Sequence, residues 1–163
     1  MAWFEKIKEG LRRMNRRIAG VGALFLIPLM LITAAEVISR DLLNRPIAGC
    51  VELSEYLLSI FILLGLAYAQ QTRAHVSVSF LFSKVSAPAQ RILHLAGSLI
   101  SLFLFSILGW QGLVVGLGER TVSDMLRIPQ YPFRLLVAVA AFLVCLELLM
   151  EVGEVARKLA RGL

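Results

Sequence analysis

The sequence predicts an all-α integral membrane protein: four transmembrane helices, short amphipathic interfacial helices, and both termini on the cytoplasmic side. Three observations predict it. Apolar residues make up 58% of the 163-residue chain and the mean hydropathy is +0.79. They fall in four long blocks with the charges between them, whereas a soluble domain interleaves polar positions through its helices. The basic residues, which bring the net charge to +6, gather in alternate connecting segments.

The first block, about residues 18–39, carries one charge, Glu36, near its far end. A helix of that length is about 33 Å long, enough to cross the hydrocarbon core. Pro28 lies inside it and predicts a kink, which membrane helices tolerate. Arg16 and Arg17 before the block and Thr33-Ala34-Ala35 within it are also features of a signal peptide. The block is longer than a signal core of about 7–15 residues, so an uncleaved span is expected.

The second span covers about 51–71, the third about 92–117, and the fourth about 133–152, with Pro129 and Pro132 at the helix start before it. The connections are short, so residues 1–163 read as a single four-helix membrane domain. Two segments have interfacial patterns. In residues 3–14, Trp3, Phe4, Ile7, Leu11 and Met14 recur at helical spacing among basic residues. In residues 76–86, Val78, Leu81, Phe82 and Val85 do the same. The alternating run from His75 to Phe80 also suits a strand, but a lone strand at a lipid surface leaves its backbone groups unpaired.

Lysine and arginine counts set orientation. With four spans, the N-terminal segment, the second loop and the C-terminal tail share one side and carry twelve; the other side carries five, namely Arg40, Arg45, Arg120, Arg127 and Arg134. Both termini are therefore expected in the cytoplasm. Six basic residues in the first seventeen, beside a membrane span, favour anionic lipid headgroups over nucleic acid, for which no aromatic-interleaved basic patch exists.

Acidic residues in spans are functional suspects. Glu36 precedes Arg40 by four residues, so a local ion pair is the simplest reading. For Glu52 and Glu55, one turn apart at the start of span two, two readings stand open. They form either a solvated helix N-terminus, favoured by the helix dipole, or partners for Arg40, Arg45 or another subunit. Glu147 and Glu151 sit where the dipole disfavours them, so a cation such as Arg157 or a loop residue is expected nearby. His75 and His94 both fall on the cytoplasmic side, outside the apolar core where a haem would lie. Cys50 and Cys145 form no CxxC and lie at different depths, which speaks against a metal, redox or disulfide role. Gly112 and Gly116 form a GxxxG, and Gly65 and Ala69 a related small-residue pair, suited to close helix packing. There is no nucleophile constellation, phosphate loop or metal-ligand cluster, and no enzyme is expected.

The order Arg40, Pro46, Glu52-Leu53, Leu64-Gly65-Leu66-Ala67 and Arg73-Ala74-His75-Val76, followed by Leu126-Arg127-Ile128-Pro129-Gln130-Tyr131-Pro132, resembles the small membrane subunit of TRAP transporters, the DctQ-like permease. The match covers roughly residues 37–144; Ser79 stands where the family often has an acid, and Tyr131 where it usually has tryptophan. The resemblance implies a scaffold in a bacterial inner membrane, bound to a large permease subunit that holds the sodium and substrate sites. A periplasmic binding protein delivers the substrate, commonly an organic acid. No cofactor is implied in this subunit. Arg40, Glu52, Glu55, Arg73 and His75 become candidate structural or subunit-interface charges. Arg45, Glu119, Arg120, Asp124 and Arg127 in the outer loops become candidate contacts for the binding protein.

Two other functions compete. A stand-alone exporter of cationic drugs, with Glu36 as its proton-coupling residue, calls for an antiparallel dimer with little charge bias and a glutamate at mid-membrane. A membrane anchor for a redox enzyme calls for a haem absorbance band.

Overall fold

The computed structural model describes residues 2–72 and 87–160. The expected interfacial helix at 76–86, together with Arg73 and His75, lies outside the described residues. Among the described residues there are five helices: α1 (Ala2–Leu24), α2 (Leu26–Leu43), α3 (Cys50–Gln71), α4 (Ala87–Gly118) and α5 (Tyr131–Ala160). Four stretches are long and apolar enough to cross a membrane: Glu5–Leu43, Cys50–Gln71, Ile92–Gly118 and Tyr131–Val155.

The first of these is α1 and α2 joined at Phe25. Pro28 has no N–H to give the carbonyl of Leu24, and its ring crowds that turn. The chain answers one turn earlier: the Phe25 N–H tightens onto the Gly22 carbonyl at 3.0 Å, and the helix resumes with Leu29 donating to Phe25 at 3.2 Å. The segment expected to be a separate surface helix, residues 3–14, is continuous with the span. Nothing between Met14 and Ile18 breaks a helix, and Asn15, at the expected boundary, is buried.

α2 ends at Asn44, which takes the left-handed conformation (φ 50°, ψ 30°) and returns its N–H to the Ser39 carbonyl. The Ser39 hydroxyl donates to the Arg45 carbonyl at 2.6 Å, and Pro46 follows, unable to continue a helix. α3 then starts after Gly49, whose φ of 77° is a conformation that favours glycine.

The helices lie in a row. α4 packs on α5, α5 on α3, and α3 on the broken first helix. α3 and α5 run parallel: Tyr56 stacks on Phe133 near one end (ring centroids 4.2 Å apart) and Gln70 meets Glu151 near the other. α4 runs antiparallel to α5, with Gly109, Gly112 and Gly116 facing Ala141, Ala138 and Leu135 in turn. The core cluster is small: Ala67, Val144 and Leu148, flanked by Leu66, Leu102, Phe105 and Leu143. A row leaves much apolar surface uncovered, and large side chains such as Met30, Phe103, Trp110 and Phe142 are more than 60% exposed. In lipid that exposure carries no hydrophobic penalty.

Candidate functional site

Polar groups concentrate at the two ends of the row. At one end the loops before α3 and before α5 are clasped together. Glu52, in the first turn of α3, accepts the backbone N–H groups of Met125 (2.8 Å) and Leu126 (2.9 Å) on its two carboxylate oxygens. These are charge-assisted bonds that give two amides of the loop a carboxylate acceptor. Leu126 in turn covers Gly49, where a Cβ would come within 2.6 Å of its Cδ2. The loop is internally paired: Ser123 N–H to Ile128 carbonyl at 2.9 Å, Gln130 N–H to Thr121 carbonyl at 3.1 Å, and a bridge between Val122 and Pro129. Ser123 is buried and its hydroxyl accepts the Ile128 N–H. Arg127 takes φ 55° at the turn. Glu119 closes the base of the loop, pairing with Arg134 of α5 at 3.1 Å and accepting the Thr121 hydroxyl at 2.6 Å. The Thr121 hydroxyl, and then the Arg134 guanidinium, hold the Glu119 carboxyl below the usual glutamate range. Beside the clasp, Ile32, Ala35, Ile47, Leu53 and Leu126 line an apolar cleft of about 210 Å³.

Glu52 stands in the first turn of α3, and within this chain its partners are backbone amides 73 and 74 residues away rather than Arg40 or Arg45. Sequence patterns carry no signal for such a bond. Glu55 is exposed. Arg40 lies 3.7 Å from Glu36, the local pair its spacing suggests, and 3.3 Å from Asp41. Arg45, Arg120, Asp124 and Arg127 are exposed around the clasp, while Glu119 is half-buried in it.

At the opposite end, α1, α3 and α5 meet in a polar junction. Asn15, 1% exposed, donates from Nδ2 to Glu147 Oε1 at 2.8 Å, and Glu147 is 6% exposed. Lys8 pairs with Glu154, and Gln70 donates to Glu151 at 3.2 Å. Lys8, Arg12, Gln71 and the three glutamates line a cavity of about 30 Å³, room for one water molecule. The direct partner of Glu147 is thus a neutral amide, with the cations Lys8 and Arg12 lining the same cavity. Lys8, Arg12 and Asn15 follow i, i+4, i+7, a polar stripe that could have been read as the inward face of α1. The Lys8–Glu154 pair also places the N-terminal helix and the end of α5 at the same end of the row.

The expected packing residues divide. A Cβ on Gly112 would stand 3.0 Å from the Ala138 nitrogen, and one on Gly116 would stand 2.9 Å from Leu135 Cδ2. Gly65 has nothing within 4 Å, and Ala69 is half-buried. The close approach on α3 is made instead against Gly22 of α1, where a Cβ would fall 2.9 Å from Leu64 Cβ. Cys50 and Cys145 are both free thiols. His94 is exposed on α4. Among the described residues no group of three or more His, Cys, Asp or Glu side chains is placed to hold a metal ion.

Comparison with curated proteins gives no match. A family model does match: that described as "Tripartite ATP-independent periplasmic transporters, DctQ component" covers residues 29–158. The matched stretch takes in most of α2, the loop clasp, the α4–α5 seam and the acidic side of the polar junction. It is a family of transporter components rather than of enzymes. With four membrane-capable stretches and a match over most of its length, the chain belongs to the DctQ component family of the tripartite ATP-independent periplasmic transporters.

Proposed function

We propose that this small permease component is a scaffold in a sodium-coupled uptake system for organic acids. It lies in a bacterial inner membrane with both termini cytoplasmic, as the twelve-to-five distribution of basic residues favours. It binds a large permease subunit that holds the sodium and substrate sites, and contains no cofactor of its own. The observation that carries this reading is the row itself. Its helices offer apolar surface along their length, while the polar junctions sit at the two ends, where they lock neighbouring helices together. A plate of this kind suits a fixed support for a moving partner. A substrate path needs polar groups or broken helices near the midplane, lined by a cavity. The break at Phe25 comes one turn after Gly22, which packs closely on Leu64 of α3.

The loop clasp lies on the periplasmic side in this reading. Its exposed Arg45, Arg120, Asp124 and Arg127, beside Glu119, present mixed charge to the substrate-binding protein. Arg40, Glu52, Glu55, Arg73 and His75 serve as structural or subunit-interface charges, Glu52 by holding the loop. The test is purification of the tagged chain from its native membrane. It should co-elute with a much larger membrane protein, and proteoliposomes holding the small chain alone should show no sodium-driven uptake of organic acids. Uptake by the chain alone would overturn the reading. So would cysteine labelling that places both termini outside.

A further inference from the structure

We infer that the outward face of α1 is a binding surface for anionic phospholipid headgroups. The claim does not depend on the transport role. The helix has two distinct polar faces. Lys8 (side chain 14% exposed) and Asn15 turn inward to Glu154 and Glu147. At about 3.6 residues per turn, Lys6, Arg13 and Arg17 lie on the opposite face, with Arg16 on its flank. All four are exposed. Arg13 shares its charge with Glu9 at 2.6 Å. Lys6, Arg16 and Arg17 make no ion pair among the described residues. With Glu5 and Glu9 as its acids, this surface keeps a net positive charge.

What identifies the ligand is the neighbourhood of that charge. Ile7 and Met14, 44% and 41% exposed, form an apolar strip beside the basic face, and α1 continues without interruption past Arg17 into the uncharged part of the membrane-capable stretch. A basic face flanked by exposed apolar side chains, on the helix that leads into an uncharged membrane-capable segment, has the chemistry that suits a phosphate-bearing interface. The polar junction supplies the geometry: Asn15 and Lys8, bound to α5, fix the rotation of α1 and so keep the other cations turned outward. These residues precede the stretch matched by the family model, which begins at residue 29.

The test uses the full chain in mixed micelles of phosphatidylglycerol and phosphatidylcholine, with retained lipid counted by native mass spectrometry at low salt. The wild type should retain phosphatidylglycerol selectively. Lys6→Gln/Arg16→Gln/Arg17→Gln should weaken that preference roughly fivefold per charge, on the order of a hundredfold in all. The charge-keeping Lys6→Arg/Arg16→Lys/Arg17→Lys should retain it. Arg45→Gln/Arg120→Gln/Arg127→Gln, equal in charge but at the other end, should keep most of it. If the triple glutamine variant does not fold, Lys6→Gln and Arg16→Gln singly carry the test. An unchanged preference, or an equal loss in the other-end control, overturns the inference. It is overturned equally if lipid retention is unmoved while co-elution with a larger membrane protein is lost, for then the face belongs to a protein.

Discussion

Gly112→Ala isolates the role of the α4–α5 seam. The new Cβ would sit 3.0 Å from the Ala138 nitrogen and 3.3 Å from its Cα and Cβ. Two of those three atoms are backbone, so relief requires the helices to separate by several tenths of an ångström rather than one side chain to rotate. Overpacking of this kind costs about 1–3 kcal/mol. Alanine is also the better helix former, by about 1 kcal/mol in water. The same substitution at Gly65 has that propensity gain with nothing within 4 Å to oppose it. The difference between the two variants cancels the propensity and leaves the contact, about 1–3 kcal/mol in favour of Gly65→Ala. The measurement is reversible unfolding in mixed micelles, titrated with dodecyl sulfate and followed by helicity. Adding Ala138→Gly to Gly112→Ala should recover only part of the loss, since the nearest atom is a nitrogen that remains. Equal stability of Gly65→Ala and Gly112→Ala would refute the reasoning, because the seam would then not be tight.

Three further outcomes follow. Asn15→Leu should cost about 1.5–3 kcal/mol by leaving a buried carboxylate without its donor, and Asn15→Leu/Glu147→Met should recover most of that in the same unfolding assay. Glu52→Gln should speed amide exchange at Met125 and Leu126 selectively, because one of two acceptor oxygens becomes an amide NH2, itself a donor, facing an N–H; unchanged exchange there would refute the clasp. Glu119 has a lowered folded-state pKa, so its contribution is complete above the ordinary glutamate range and is lost as pH falls through the lowered value. Thr121→Val should move the carboxyl titration upward, read by carbon NMR, and no movement would mean that the hydroxyl bond is not its main cause.

The all-α class and the four membrane-capable stretches agree with the helices found because both depend on local order. Apolar blocks of sufficient length must be helical in lipid, where each backbone group needs an internal partner. The kink predicted at Pro28 appears at Phe25 for the same local reason. The Glu36–Arg40 pair was legible too, being one turn of one helix. The N-terminal basic segment and the start of the first apolar block form one continuous helix, since a change of composition at Arg16–Arg17 is not a change of backbone conformation.

The sequence by itself determined where helices form, which stretches can live in lipid, and the family, since each resides in residue order along the chain. The tertiary structure alone decided the partners: Glu52 with the amides of a distant loop, Asn15 with Glu147, Gly22 rather than Gly65 at the close crossing with α3. Those contacts join positions far apart in the chain. They depend on how helices are ordered in the row, and an apolar pattern that suits lipid on every side does not encode that order.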